Sequence, residues 1–189
     1  MPDQEYRMRK MAGLVAGKES VLDLGWADHP NGYFRNRLVV GLDLSEGETP
    51  GNYSRCMRGD VMDLPEPFGA EEFDAVVAGE LLEHLEDPAE FLRRCLKVLR
   101  PGGTMVLSTP NPNSPIERSL TLFLVRRYFY TENHLMLYPQ RWLIRMMERA
   151  GFTDVRLISG GFPLPLLGLV PFPRPWCYQT IAEGRKPAK

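Results

Sequence analysis

Cysteine and histidine are scarce in this 189-residue chain, with three of each. Cys56, Cys95 and Cys177 lie far apart, odd in number and in no metal-binding spacing. That argues against a disulfide framework or a thiolate zinc site and points to a reducing compartment with buried thiols. The first twenty residues, MPDQEYRMRKMAGLVAGKES, contain no apolar signal core, so a cytoplasmic location is expected. No apolar run reaches the ~20 residues of a membrane span. Internal repeats and low-complexity tracts are missing as well. No cluster of Lys and Arg is interleaved with aromatics at a groove-like spacing, which argues against nucleic acid as a partner.

What is present is ordinary in bulk and uneven in placement. Hydrophobic residues make up 43% and charged residues 25%, and the length suits one domain, residues 1–189, with a sizeable core. The net charge of −1 conceals an asymmetry: residues 1–91 hold 8 Lys/Arg against 19 Asp/Glu, whereas residues 92–189 hold 15 against 5. A basic half of this kind suits an anionic substrate or a membrane surface, or is an uneven solvated face.

The pattern alternates strands and helices. Residues 5–18 read as an amphipathic helix, and strands are expected at 20–24, 38–43 and 54–58. FDAVVAG (73–79) is an apolar run suited to a sheet covered on both sides. Asp87, Pro88 and Glu90 then mark a helix start, with Phe91, Leu92, Cys95, Leu96, Val98 and Leu99 as its apolar stripe. PGG ends that helix and TMVLSTP (104–110) forms the next strand. A helix at 139–150 stops at Gly151, and strands near 153–159 and 176–183 follow. This is an α/β sheet, whose ligands bind at the carboxyl ends of the strands.

Acidic residues stand at those ends. Asp43 closes a strand where a carboxylate can accept hydrogen bonds from two ribose hydroxyls, and Asp60 follows the next, where it can receive an adenine amino group. VLDLG, VVGLDLSE, GDVMDLPEPF, the block from Phe73 to Pro112 and ERAGFTDVRLIS together resemble successive motifs of class I S-adenosylmethionine-dependent methyltransferases of small-molecule type. The resemblance is strong over 20–110 and moderate over 134–160. It implies a Rossmann-like seven-stranded sheet, mostly parallel with its last strand antiparallel, with helices on both faces. It also implies S-adenosylmethionine as cofactor. Asp23, Gly25 and Trp26 would hold the methionine end, Asp43 with Leu44 the ribose, Asp60 with Val61 the adenine, and Gly79 with Glu80 the methyl-donor pocket.

Three departures accompany the resemblance. After Gly25 the loop runs Trp26, Ala27, Asp28, His29 with no glycine before Gly32, so glycine alternation is lost. The segments from Gly25 to Gly41 and from Asp43 to Asp60 are short, and the helices there should be stunted. A cofactor-free, methyltransferase-like partner subunit therefore stands as an alternative to an enzyme.

GELLEHLEDP contains Glu-x-x-Glu-His. On a helical turn Glu80, Glu83 and His84 share a face, a pattern similar to metal-assisted O-methyltransferases of quinone-biosynthesis phenols or of RNA termini, where His134 would be the further ligand. Metal-free members carry Glu-His here too, and His84 is then a general base or orienting group. The expectation is no metal: Glu80 is assigned to the cofactor pocket, and nothing in the sequence fixes His134 nearby.

The acceptor end is marked by two segments. An insertion at about 112–138 occupies the place of a lid in this family, and a loop at about 160–176 carries five prolines and a run of leucines. Leu120, Phe123, Leu124, Tyr128 and Phe129 with Arg126 and Arg127 would pack on the domain, on a second copy in a homodimer, or at a membrane interface. A small acceptor, apolar or lipid-linked, suits these loops. STPNP lacks the proline-proline-aromatic pattern of amino-methylating DNA enzymes.

Overall fold

Seven strands form one sheet in the computed structural model, which describes residues 2–123, 134–164 and 168–188. The elements, in chain order, are α1 (Pro2–Leu14), β1 (Ser20–Leu24), β2 (Leu38–Asp43), β3 (Arg55–Arg58), β4 (Phe73–Gly79), α2 (Pro88–Val98) and β5 (Leu99–Pro110). They continue with α3 (Pro115–Phe123), α4 (Gln140–Ala150), β6 (Thr153–Ser159), β7 (Phe162–Leu164), β8 (Gly168–Val170) and β9 (Gln179–Arg185). The sheet order is β3-β2-β1-β4-β5-β9-β6. β3, β2, β1, β4 and β5 run parallel, and β9 is antiparallel to both β5 and β6. The expected Rossmann-like architecture is therefore present.

Strand periodicity divides the core in two. Leu22, Leu24, Val40, Leu42, Val76 and Leu107 face α2 and α4, which contribute Phe91, Leu92, Leu143 and Met147. Val21, Val39, Ala75, Val77 and Val106 face the other way, onto Met11 of α1, Val15 just after it, and onto Trp26, Phe34 and Tyr53. Neither short segment contains a helix: residues 25–37 and 44–54 are loops. On the second face, three aromatic side chains fill space that a helix would otherwise cover.

The local signals acted mostly as expected. The Asp87 carboxylate accepts the Glu90 N–H at 2.8 Å, and Pro88 opens α2. The Glu90 carboxylate does not reach back to the cap; it pairs with Arg93 and Arg94 at 2.8 and 3.0 Å. α1 ends at Leu14 rather than at 18, because three successive i→i+3 turns tighten the chain toward Gly17, whose φ is +80°. β9 begins at 179 rather than 176, since Arg174–Trp176 form a 3-10 turn between prolines that lack a donor. Within the Pro-rich loop, β7 and β8 pair antiparallel, which the sequence pattern did not suggest. The apolar and basic stretch from Leu124 to Phe129 lies outside the described residues, as do the side chains of Leu120 and Phe123. No helix among the described residues is long and apolar enough to cross a membrane.

Candidate active site

The sheet order reverses between β1 and β4, and the crevice at the carboxyl ends of those strands is where open α/β sheets bind ligands. A cavity of about 860 Å³ opens there, lined by Asp23 and Gly25 from the end of β1, Gly79 and Glu80 from the end of β4, Arg7 of α1, and His84. Leu135, Met136 and Leu137 form an apolar part of its wall.

The β1 side is a loop held by hydrogen bonds. Gly25 has φ +75°, a conformation that favours glycine, and its N–H bonds the Leu42 carbonyl at 3.0 Å. The Asp43 carboxylate accepts the Ala27 N–H at 3.0 Å and the Ser45 N–H at 2.8 Å, one on each oxygen. A carboxylate offers about four lone-pair sites, so capacity for two ribose hydroxyls is left. Asp23 is buried, which pushes its carboxyl up to about 7 against the opposing effects of the Tyr53 hydroxyl and the Arg7 guanidinium.

Asp43, Leu44, Asp60 and Val61 do not line this cavity; parallel pairing of β1, β2 and β3 sets them along the same carboxyl edge beside it. Asp60 caps the 3-10 turn Val61–Asp63 by accepting the Met62 N–H at 2.8 Å. Trp26 departs from the expected role. Its indole is buried in the core, where a Cβ on Gly41 would lie 2.6 Å from it. The side chain fills the space left by Gly41 rather than facing the cavity.

The β4 side is built differently. Glu80 has φ +54°, left-handed backbone for a non-glycine residue, and the 3-10 turn starts only at Leu82. Glu80, Glu83 and His84 therefore do not share one helical face. The Glu80 carboxylate pairs with Arg7 at 3.2 Å and accepts the Ser108 hydroxyl and the Gln179 amide, each at 3.0 Å. Arg7, Ser108 and Gln179 carried no local signal in the sequence, because α1, β5 and β9 bring them together only in the fold.

Glu83 is fully buried; among the described residues its carboxylate has no well-formed hydrogen bond, the nearby Thr109 hydroxyl being the side-chain group that favours its ionised form, and the Tyr138 hydroxyl is unpartnered too. Burial, with the neighbouring Glu80 charge, holds the Glu83 carboxyl well above the usual carboxylate range. The chain returning past the insertion donates the Leu135 and Met136 N–H groups to the Glu83 carbonyl at 2.8 and 3.3 Å. This fixes His134 against His84, with ring centroids 4.7 Å apart and edge-on. Burial and the nearby His84 lower the His134 pKa, which favours its neutral imidazole. One ligand atom from each of Glu83, His84 and His134 lies within 4.8 Å of the others. The sequence-level reason for setting a metal aside, that nothing fixes His134 here, does not hold.

A family model described as "Methyltransferase domain" matches residues 11–157, and the chain belongs to that family. A probable S-adenosylmethionine-dependent methyltransferase of Mycolicibacterium smegmatis is 40% identical over 118 residues, covering 57% of this chain and 44% of that protein. A ubiquinone biosynthesis O-methyltransferase of a Bradyrhizobium species is 56% identical over 78 residues, 41% of this chain and 28% of that one. The chain thus spans less than half the length of these two relatives. Among solved structures, a SAM-dependent methyltransferase of Thermotoga maritima superposes with a TM-score of 0.76 at 17% identity, covering 97% of this chain and 89% of that one; this likeness shows the fold.

Proposed function

We propose that the chain is an S-adenosylmethionine-dependent methyltransferase acting on a small, apolar acceptor, lipid-linked acceptors included. The observation that carries this reading is the cavity at the β1/β4 reversal, with Asp43 and Asp60 in line along the adjoining strand ends. The cofactor supplies an electrophilic methyl group. Asp43 is assigned to the ribose hydroxyls and Asp60 with the Val61 N–H to the adenine edge. Gly25 lets the backbone turn close to the methionine end, and Asp23 meets its ammonium. His84 receives the acceptor's proton. Rate comes from positioning within the cleft, whose apolar wall at Leu135 and Met136 favours an apolar acceptor. The ubiquinone biosynthesis O-methyltransferase relative supports oxygen as the methylated atom. Calorimetric titration with S-adenosylhomocysteine tests the reading: saturable binding is expected. No heat at millimolar ligand would overturn it in favour of a cofactor-free partner subunit.

A second reading has its own observation. The buried Glu83 carboxyl beside His84 and His134, whose pKa is lowered toward the neutral imidazole, is a donor set suited to a divalent cation. In that reading His84 would be a ligand, and the metal would lower the pKa of the acceptor hydroxyl.

A further inference from the structure

The loop after β1 lacks alternating glycines, yet its far end is fixed as firmly as its start. Tyr53, buried just before β3, packs its ring on Trp26 and Phe34, with centroids 6.1 Å away in each case. Its hydroxyl donates to the Asp23 carboxylate and accepts the Asn31 N–H at 2.9 Å. Asn31, itself buried, donates its side-chain amide to the Met8 carbonyl at 3.0 Å and accepts the Tyr33 N–H at 3.1 Å. Asn52 closes the set by donating to the Asn31 carbonyl at 3.0 Å. Asp23, Asn31 and Met8 all line the cavity. One phenol therefore ties together the end of β1, the end of the loop and, through Asn31, helix α1.

We propose that Tyr53 is a positioning residue for the cofactor, holding loop 25–32 and the Asp23 carboxyl in place by side-chain hydrogen bonds where alternating glycines are missing. The proposal rests on reading the cavity as an S-adenosylmethionine site. Tyr53 touches no ligand itself; it acts through Asp23 and Asn31. The charged or titratable groups around Asp23 are Tyr53 and Cys56 near β3, Arg7 from α1 and Asp43 from β2. Arg7 and the Tyr53 hydrogen bond favour ionised Asp23, and burial and Asp43 oppose it. Ionised Asp23 is the form that attracts a ligand ammonium. Affinity should therefore rise with pH through about 7 in the native protein. Removing the phenol oxygen moves that rise to higher pH.

The test is Tyr53→Phe, which keeps the ring packing. Two measurements are made: S-adenosylhomocysteine titration on either side of neutrality, and amide exchange of the ligand-free protein. Expected are about tenfold weaker binding, an alkaline shift of the affinity profile, and faster exchange at Asn31 and Tyr33. Native-like affinity, profile and exchange would make Tyr53 a packing residue and overturn the proposal. If the native protein itself binds no S-adenosylhomocysteine, the cofactor reading fails, and the proposal goes with it. Should Tyr53→Phe not fold, Asp23→Asn decides, since its amide oxygen still accepts from Tyr53. A flat affinity profile with protected loop amides supports the proposal, and a native-like profile overturns it.

Discussion

The two walls of the cavity are built on opposite principles. On the β1 side the loop is held mainly by paired backbone groups: Gly25, Ala27 and Asn31 donate to fixed acceptors, the buried Trp26 indole N–H being the exception among the described residues, and Asp43 retains spare lone pairs at the adjoining strand end. On the β4 side Glu80 sits in left-handed backbone and Glu83 is buried without a well-formed hydrogen bond to its carboxyl among the described residues. Backbone strain and unpaired buried groups each carry a cost of about 1–3 kcal/mol and tend to persist where chemistry needs them. In the proposed reading the contrast separates labour: the first wall holds the cofactor, and the second carries the chemistry.

The sharpest way to break that division is to remove the reacting wall. With His84 as base, His84→Ala lowers turnover by about 10²–10⁴-fold, while exhaustive chelation leaves the native rate unchanged. Activity that disappears on chelation, returns with magnesium, manganese or cobalt, and loses this dependence in both Glu83→Ala and His84→Ala would make His84 a ligand instead. A smaller effect tests the holding wall. Asp43→Ala should weaken S-adenosylhomocysteine binding by about 1–3 kcal/mol, the range for losing hydrogen bonds to a charged acceptor; unchanged affinity in the folded variant would place the ribose elsewhere. The smallest effect concerns stability. Because the folded Glu83 carboxyl has a raised pKa, the native chain binds a proton that the unfolded chain releases. Stability therefore falls as pH rises from the ordinary carboxylate range toward that raised value. Glu83→Gln removes this loss and should raise Tm by about 4–8 °C at neutral pH, as about 2 kcal/mol would, with no gain near pH ~4. A pH-independent difference in melting temperature would mean that Glu83 is already compensated.

How much of this was legible follows from how far each signal reaches. Strand runs, the Asp87–Pro88 helix start and the acidic strand ends are local features, and the structure places them within a few residues of expectation. The stunted connections were also visible as missing length. Glu-x-x-Glu-His misled because helical spacing assumes continuous helix, and the left-handed Glu80 interrupts it. Tyr53 lies 30 residues from Asp23, and no pattern in either segment announces the bond. His134 was suspected as a ligand, but its approach depends on Glu83's carbonyl capturing two amides from beyond the insertion, which spacing alone does not encode.

Glu80 also has a consequence for how the protein comes into being. Its two carboxylate oxygens are gripped from Arg7 and from Gln179, residues near opposite ends of the described chain. β9, which carries Gln179, threads between β5 and β6 and follows both of them in the chain. On a ribosome, strands β1 to β5 emerge long before the strand that pins Glu80 against Arg7. Contacts between such distant residues close the largest loops and form late. The cavity thus waits on β9: a nascent chain halted before Gln179 has the acidic strand ends and the glycine turn but leaves Glu80 with Arg7 and Ser108 and without its third anchor.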